Sequence, residues 1–310
     1  MMMKSKDSFE DVLTENEGMS MKKATILLIL LTTVHVSAQE ILEPDSWIRR
    51  LQQRQLVDLP TAVMPEPGSY TIDLRMFADG GVLGGVSVGL TPSFTFGVSY
   101  GGEGVVGEGD ADWNPDPGVF VRIRLFGENR TNGSTYGTPA LVIGFDSQGF
   151  GRYKPDFKRY EYKSRGLYAV TSMTYFRTVP ASRGGQRTRG RVNLVEPVYP
   201  FIGMHGGLNW SPEGDGKDDE LNLFIGGDII FNPEIRILAE YDFGINDNED
   251  DDNFGSGNGF LNASIQWLFQ KSEAQRSKES IFLEFAVKNV LKNGATPLTR
   301  ELKVGFLTRF

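Results

Sequence analysis

The sequence holds no cysteine and only two histidines, His35 and His205. That excludes disulfide frameworks, thiolate metal sites, cysteine nucleophiles and a lipidated N-terminal cysteine. It also leaves little material for a histidine-rich metal centre. Basic residues are outnumbered, 32 Lys and Arg against 40 Asp and Glu, giving a formal charge of -8. A general nucleic-acid binder needs a basic face, so nucleic acid is not an expected partner. No apolar run is long enough for a transmembrane helix. Glycine, by contrast, is plentiful at 37 of 310 residues, against roughly 7 % in average usage. Ordered glycine costs backbone entropy, so the excess has to serve the architecture.

Residues 21–38 read MKKATILLILLTTVHVSA. Lys22 and Lys23 form a basic start, 24–34 an apolar stretch, and Val36-Ser37-Ala38 a small-residue cleavage site, the layout of a secretory signal peptide. Cleavage is expected between Ala38 and Gln39, and 1–38 is read as an upstream extension plus that signal. The exported chain is then either soluble outside the cytoplasm or a membrane β-barrel.

Period two dominates the exported chain. Phe94, Phe96, Val98 and Tyr100 alternate with Ser93, Thr95, Gly97 and Ser99; Ile235, Ile237, Ala239 and Tyr241 alternate with Arg236, Leu238, Glu240 and Asp242. Such alternation marks strands with different surroundings on their two faces. About twelve segments show it, each close to the roughly 9–11 residues of a tilted transmembrane strand. They begin near residues 69, 82, 93, 118, 138, 164, 198, 220, 234, 258, 279 and 300. An even number suits a single-chain bacterial barrel. Connections alternate as well. Thr91-Pro92 and Asn232-Pro233 are tight, while 102–117, 148–163, 211–219, 245–257 and 292–299 fall on the opposite side, and 177–197 is expected as a long periplasmic connection. Alternation alone also fits a soluble sandwich. The final segment favours the barrel: Leu302, Val304, Phe306 and Phe310 share one face and end in an aromatic residue, which resembles the C-terminal targeting strand of outer-membrane barrels. The expectation is an all-β, antiparallel up-and-down transmembrane barrel over 69–310, preceded by a periplasmic segment, 39–68. Its place is the outer membrane of a Gram-negative-type bacterium, with lipid, lipopolysaccharide and the barrel assembly machinery as partners. Within 39–68, residues 45–51 fit a short amphipathic helix, packing at the rim or entering the lumen.

Parity points Asp73, Arg75, Arg122, Arg124, Asp146, Asp228, Arg236, Glu240, Asp242, Glu284 and Lys288 into the lumen, with Lys303 and Arg309. The two signs nearly balance, which suggests charges paired across a narrow interior rather than a single-sign selective ring. His205 faces inward beside Asn209, with no acylation motif around it, so a satisfied lumen histidine is preferred to a catalytic one. The acidic clusters at 103–116, 213–220 and 247–252 are read as solvated loop faces; the last two lack EF-hand spacing. The arginines at 177, 183, 187, 189 and 191 are read as a basic loop, and Gly101 to Gly109 lacks a nucleotide-loop context. No metal and no cofactor is expected.

Leu59-Pro60-Thr61-Ala62 with Gly68, then Val119 to Phe126, Pro139 to Phe145 leading to Gly149 and Gly151, and Tyr162 to Ser172 together resemble YjbH-type outer-membrane proteins over 59–176. The resemblance implies a β-rich outer-membrane protein associated with exopolysaccharide production, with no catalytic residues to carry over. The functional expectation is a non-enzymatic outer-membrane barrel, involved in exopolysaccharide production or export, envelope assembly or periplasmic partner binding. The alternatives are a small-solute channel and an outer-membrane lipid-modifying enzyme near His205.

Overall fold

Antiparallel pairing runs around the molecule and returns to its start. The computed structural model describes residues 54–108, 110–130, 137–180, 195–214, 219–247, 254–270, 279–294 and 297–309. The signal segment with Ala38 and Gln39, the 45–51 stretch, the arginines at 183–191 and Phe310 lie outside the described residues. Among the described residues twelve strands form the wall. They are β1 (Ser69–Phe77), β2 (Gly81–Thr91), β3 (Phe94–Glu103), β4 (Gly118–Phe126), β5 (Ala140–Asp146), β6 (Gly166–Pro180), β7 (Val195–Trp210), β8 (Asn222–Ile230), β9 (Ile235–Asp242), β10 (Phe260–Gln270), β11 (Ser280–Lys288) and β12 (Thr299–Arg309). Each pairs with its neighbours in sequence, and β12 closes on β1 from Ser69 opposite Arg309 to Met76 opposite Leu302. Closure removes both sheet edges, so no row of backbone donors and acceptors faces hydrocarbon.

The period of two explains the two surfaces. Ile72, Leu74, Val86, Val98, Val119, Ile143, Ile202, Ile225, Ile237, Ile281 and Phe285 are exposed on the outside. Residues of the opposite parity, Arg75, Ser87, Thr95, Arg122, Arg236, Glu240 and Glu284, are buried inside. Tyr100 stacks on Trp113 near one rim with ring centroids 5.7 Å apart, while Trp267 and Phe269 are exposed near the other. An apolar band flanked by aromatic girdles around a polar interior is how a barrel sits in an outer membrane. Leu302, Val304 and Phe306 lie on the outer face of β12 and are partly exposed.

The tight connections, between Thr91 and Phe94 and between Ile230 and Ile235, leave the barrel at the end where β1 begins. Longer ones, 104–117, 147–165, 211–221, 243–259 and 289–298, leave the other end, with 78–80 as the short exception. Short turns mark the periplasmic end and long loops the outer one, although 127–139 and 271–279 are longer connections at the turn end. The expected connection 177–197 is shorter than its sequence suggests. β6 and β7 continue pairing from Arg177 opposite Val198 to Pro180 opposite Val195.

Inside, side chains fill the barrel in layers. Near the periplasmic end Phe201, Ile230, Leu268 and Phe282 form an apolar cluster. Near the outer end Leu83, Phe150, Tyr162 and Phe260 form another. The polar middle lies between them. The expected periplasmic placement of 39–68 fails for 54–64, which lies in this middle layer: Leu56, Val57, Asp58, Leu59, Thr61, Ala62 and Met64 are all buried. Their backbone groups find partners on the lumen wall, which a segment hanging in water would not need.

Candidate functional site: a segment seated in the lumen

Residues 54–61 turn back on themselves. The Thr61 N–H donates to the Arg54 carbonyl at 2.9 Å, and the Leu56 N–H donates to the Leu59 carbonyl at 2.9 Å. Gln55 and Pro60 form an antiparallel bridge. Pro60 has no N–H to satisfy and a fixed φ, which suits this return strand. The turn aims three successive N–H groups one way, a concavity that binds anions. Its anion is Glu240 of β9. The N–H groups of Val57 and Asp58 donate to the carboxylate at 3.0 Å and that of Leu59 at 2.9 Å. Asn262 of β10 donates to the same carboxylate at 2.8 Å and orients it. Leu56 lies over Gly226 of β8, where a Cβ would stand 2.3 Å from its Cδ1.

The side chain of Asp58 enters a cationic cradle. Lys288 of β11 stands 2.7 Å from it, and Arg75 of β1 donates to its other oxygen. Arg75 also donates to the Val57 carbonyl at 2.9 Å. Glu301 of β12 completes the cluster, 3.0 Å from both Arg75 and Lys288. Two cations and two carboxylates alternate, so the buried cluster is close to neutral, the condition under which buried charge is tolerated. Burial by itself would raise the Asp58 carboxyl, but Lys288 and Arg75 hold it well below the usual carboxylate range.

Further along, the peptide joining Thr61 to Ala62 is held at both ends. Arg122 of β4 donates to the Thr61 carbonyl, and the Ala62 N–H donates to Ser172 Oγ of β6 at 2.7 Å. Ser172 Oγ lies 2.7 Å from His205 Nδ1, and His205 Nε2 lies 2.8 Å from Asp228, which Arg236 also meets at 3.0 Å. A Cβ on Gly203 would fall 2.1 Å from an Asp228 oxygen, so only glycine admits this pair. Ser, His and Asp stand at relay distances. However, the chain ends in a peptide N–H rather than a substrate carbonyl, and Arg236 shares the aspartate. The arrangement anchors the segment. His205 is buried in the lumen, as its inward parity indicated, and does not reach the lipid-facing surface. Leu59, Ala62 and Met64 complete the seat by packing on Ala140, Val142, Tyr168, Val170 and Phe224.

From the outer end a second element folds inward, a hairpin of Phe150–Lys154 and Arg159–Tyr162. Arg75 stacks over the Phe150 ring at 4.2 Å, and Lys288 over the Tyr162 ring at 4.0 Å. Arg159 grips Asp247 with two bonds of 2.8 and 2.9 Å and lies 3.8 Å over Phe254. Glu213 accepts the N–H groups of Tyr160 and Ser164, each at 3.1 Å. Burial pushes the Glu213 carboxyl up, against these bonds and Arg159. A narrow cleft remains between the turn, the hairpin and the wall, lined by Asp58, Lys163, Arg165, Asp242, Asp247 and Asn262 among others.

The residues that parity pointed inward do not all reach the segment. Arg75, Arg122, Glu240 and Lys288 touch it, and Asp73 does so through Arg54 at 3.2 Å. Asp228 stands behind it through His205 and Ser172, and Arg236 behind Asp228. Asp242 pairs with Arg165 and accepts from Asn222 at 2.6 Å. Glu284 accepts from Gln266 at 3.0 Å. Asp146 accepts the Gln148 N–H at 3.0 Å and lines a cleft with Arg122 and Tyr168. Lys303 is buried and lies 5.8 Å from the Phe282 ring centre. Arg124 is only half-buried. Arg309 departs from the expected lumen position: it is exposed at the rim and pairs with Glu66 at 3.2 Å. Five contributors were missed by parity: Arg54, Asp58, Arg165, Ser172 and Glu301. Glu301 was within reach, since it shares the face of Lys303. Asp58 left no trace, because the segment has no period. Among the described residues no group of His, Asp or Glu is arranged to hold a metal ion.

No family model and no curated protein matches the chain. Among solved structures it is similar to the KdgM porin, at 8 % identity over 78 % of this chain and 99 % of that one, with a TM-score of 0.39. The NanC porin is similar at 6 % identity over 78 % and 100 %, with a TM-score of 0.41. So is the COG4313 outer membrane channel from Pseudomonas putida F1, at 11 % identity over 80 % and 97 %, with a TM-score of 0.40. The resemblance to YjbH-type proteins is not upheld: no match points to that family, and the similar structures are small outer-membrane porins and channels. Its motifs divide between the lumen segment, strands β4 to β6 and the outer hairpin with Gly149 and Gly151.

Proposed function

We propose that the protein is a gated outer-membrane channel for small polar solutes, closed in this conformation by residues 54–64. The observation that carries the reading is how the lumen is filled. The closing segment is not part of the wall; it joins β1 only through 65–68. Polar and ionic contacts from β1, β4, β6, β9 and β11 hold it, alongside one apolar patch. Barrel interiors are water-filled channels in porins and plugged by inserted segments in others, and a segment held by exchangeable contacts can leave while the wall's ladder stays intact.

Single-channel recording of the full chain in a planar bilayer tests this. The native protein should be mostly silent with rare openings. Loosening the segment through Asp58→Asn with Lys288→Met should lengthen or multiply openings of one fixed conductance. A doubly substituted, folded barrel that stays as silent as the native one would sink the channel reading.

A further inference from the structure

The wall contacts to 54–64 are directed at its main chain. Glu240 takes three consecutive amide N–H groups. Arg75 donates to the Val57 carbonyl, and Arg122 to the Thr61 carbonyl. Ser172 takes the Ala62 N–H, so both polar ends of one peptide unit are engaged from two strands. Two side chains of the turn are read by charge, Asp58 between Arg75 and Lys288 and Arg54 by Asp73. Leu59, Ala62 and Met64 meet an apolar floor that includes Val142, Val170 and Phe224.

We infer that this part of the lumen is a binding site for short peptides carrying a side-chain carboxylate, with residues 54–64 as its resident occupant. The inference rests on the channel reading for its biological setting and names the class of solute that would compete with the resident segment. Paired recognition of a carbonyl and the N–H of the same amide is what distinguishes a peptide from a simple organic acid. Three successive N–H groups converging on one carboxylate are what a turn of polypeptide presents. The Arg75–Lys288 cradle sets the requirement for an acidic residue, and the floor a preference for small or aliphatic neighbours. Such a peptide would take over the same contacts as it displaced the segment.

The test uses the full chain with a protease recognition sequence inserted between Glu66 and Pro67. The protein is folded, then cut and washed. Two results support the site: the freed fragment stays bound to the barrel by mass spectrometry, or it leaves and a fluorescein-labelled peptide of residues 54–64 binds in its place by polarisation. The peptide carrying Asp58→Asn should bind roughly thirtyfold weaker or worse, as expected when a buried charge pair loses one partner. Lys288→Met in the barrel should weaken the native peptide similarly. Loss of the fragment without rebinding would overturn the inference, as would equal competition by a scrambled peptide or by galacturonic acid at the same concentration. If the insertion impairs folding, the same peptide is added to the uncut Asp58→Asn chain, which should bind it better than the parent; equal binding would count against the site. Polarisation does not require conduction, so failure here is separable from failure of the channel reading.

Discussion

Asp58 and Lys288 lie 2.7 Å apart, one on a turn ahead of the first strand and the other at the outer end of the eleventh, and Lys288 is fully buried. The pair ties a free-running segment to the wall at a depth water does not reach. With Arg75 and Glu301 beside it, the contact spans β1, β11 and β12, the strands flanking the closure of the barrel.

Removing one member of this cluster leaves a buried charge without its partner, which typically costs about 3–5 kcal/mol. Lys288→Met is therefore expected to weaken seating of 54–64 by that order without unfolding the wall. Hydrogen exchange at the amides of Val57 and Leu59 checks this: they should exchange faster by orders of magnitude while β8 and β9 keep their protection.

Glu240→Gln tests the other half of the seat. A charge-assisted hydrogen bond contributes about 1.5–3 kcal/mol, and glutamine keeps one acceptor oxygen where three N–H groups converge. Seating should weaken by about 2–4 kcal/mol, and limited proteolysis near residues 65–68 should accelerate. Unchanged cleavage would show that the turn is held elsewhere.

Gly203→Ala should damage the wall and, by displacing Asp228 and His205, loosen the Ser172 anchor of the segment. Its new Cβ would sit 2.1 Å from Asp228 and 2.9 Å from His205 Nε2. Overpacking of this kind costs about 1–3 kcal/mol, to be read as a lower midpoint in urea unfolding from lipid vesicles. The same assay separates the two faces: Ile225→Arg, on the exposed lipid face, should cost about 2–4 kcal/mol if it lies near the bilayer midplane.

Docking of the outer hairpin should depend on pH through Glu213. Burial raises this carboxyl when the hairpin is closed, so the closed state binds more protons than the open one. Closure is then favoured below the ordinary glutamate value of roughly 4.3 and loses part of that advantage as pH rises from there through the raised value. Protection of the Tyr160 and Ser164 amides, corrected for intrinsic exchange, should fall as pH rises above roughly 4.3, and Glu213→Gln should flatten the trend. A slope that survives the substitution would assign the effect to another group.

Strand positions were legible because a membrane wall imposes one rule on every residue. The twelve expected starts fall within three residues of the observed ones, from Ser69 on its place to Val195 three residues early and Thr299 one early. Inward and outward faces follow from the same alternation, as Arg122 and Val119 illustrate. The ends of β6 and β7 were less legible, because Pro180 and Pro197 interrupt the pattern while the pairing continues past them.

The lumen segment was not legible at all. Gln55, Val57 and Asp58 show neither period, and nothing in their order indicates that a glutamate 182 residues away takes the Asp58 N–H. The sequence by itself determined the wall, because lipid outside and polar groups inside must alternate along each strand whatever its neighbours are. Only the tertiary structure decided what fills the lumen and whether it is open. That outcome depends on which of several buried charges find one another across strands far apart in the chain, a matter of distance in space that local pattern does not record.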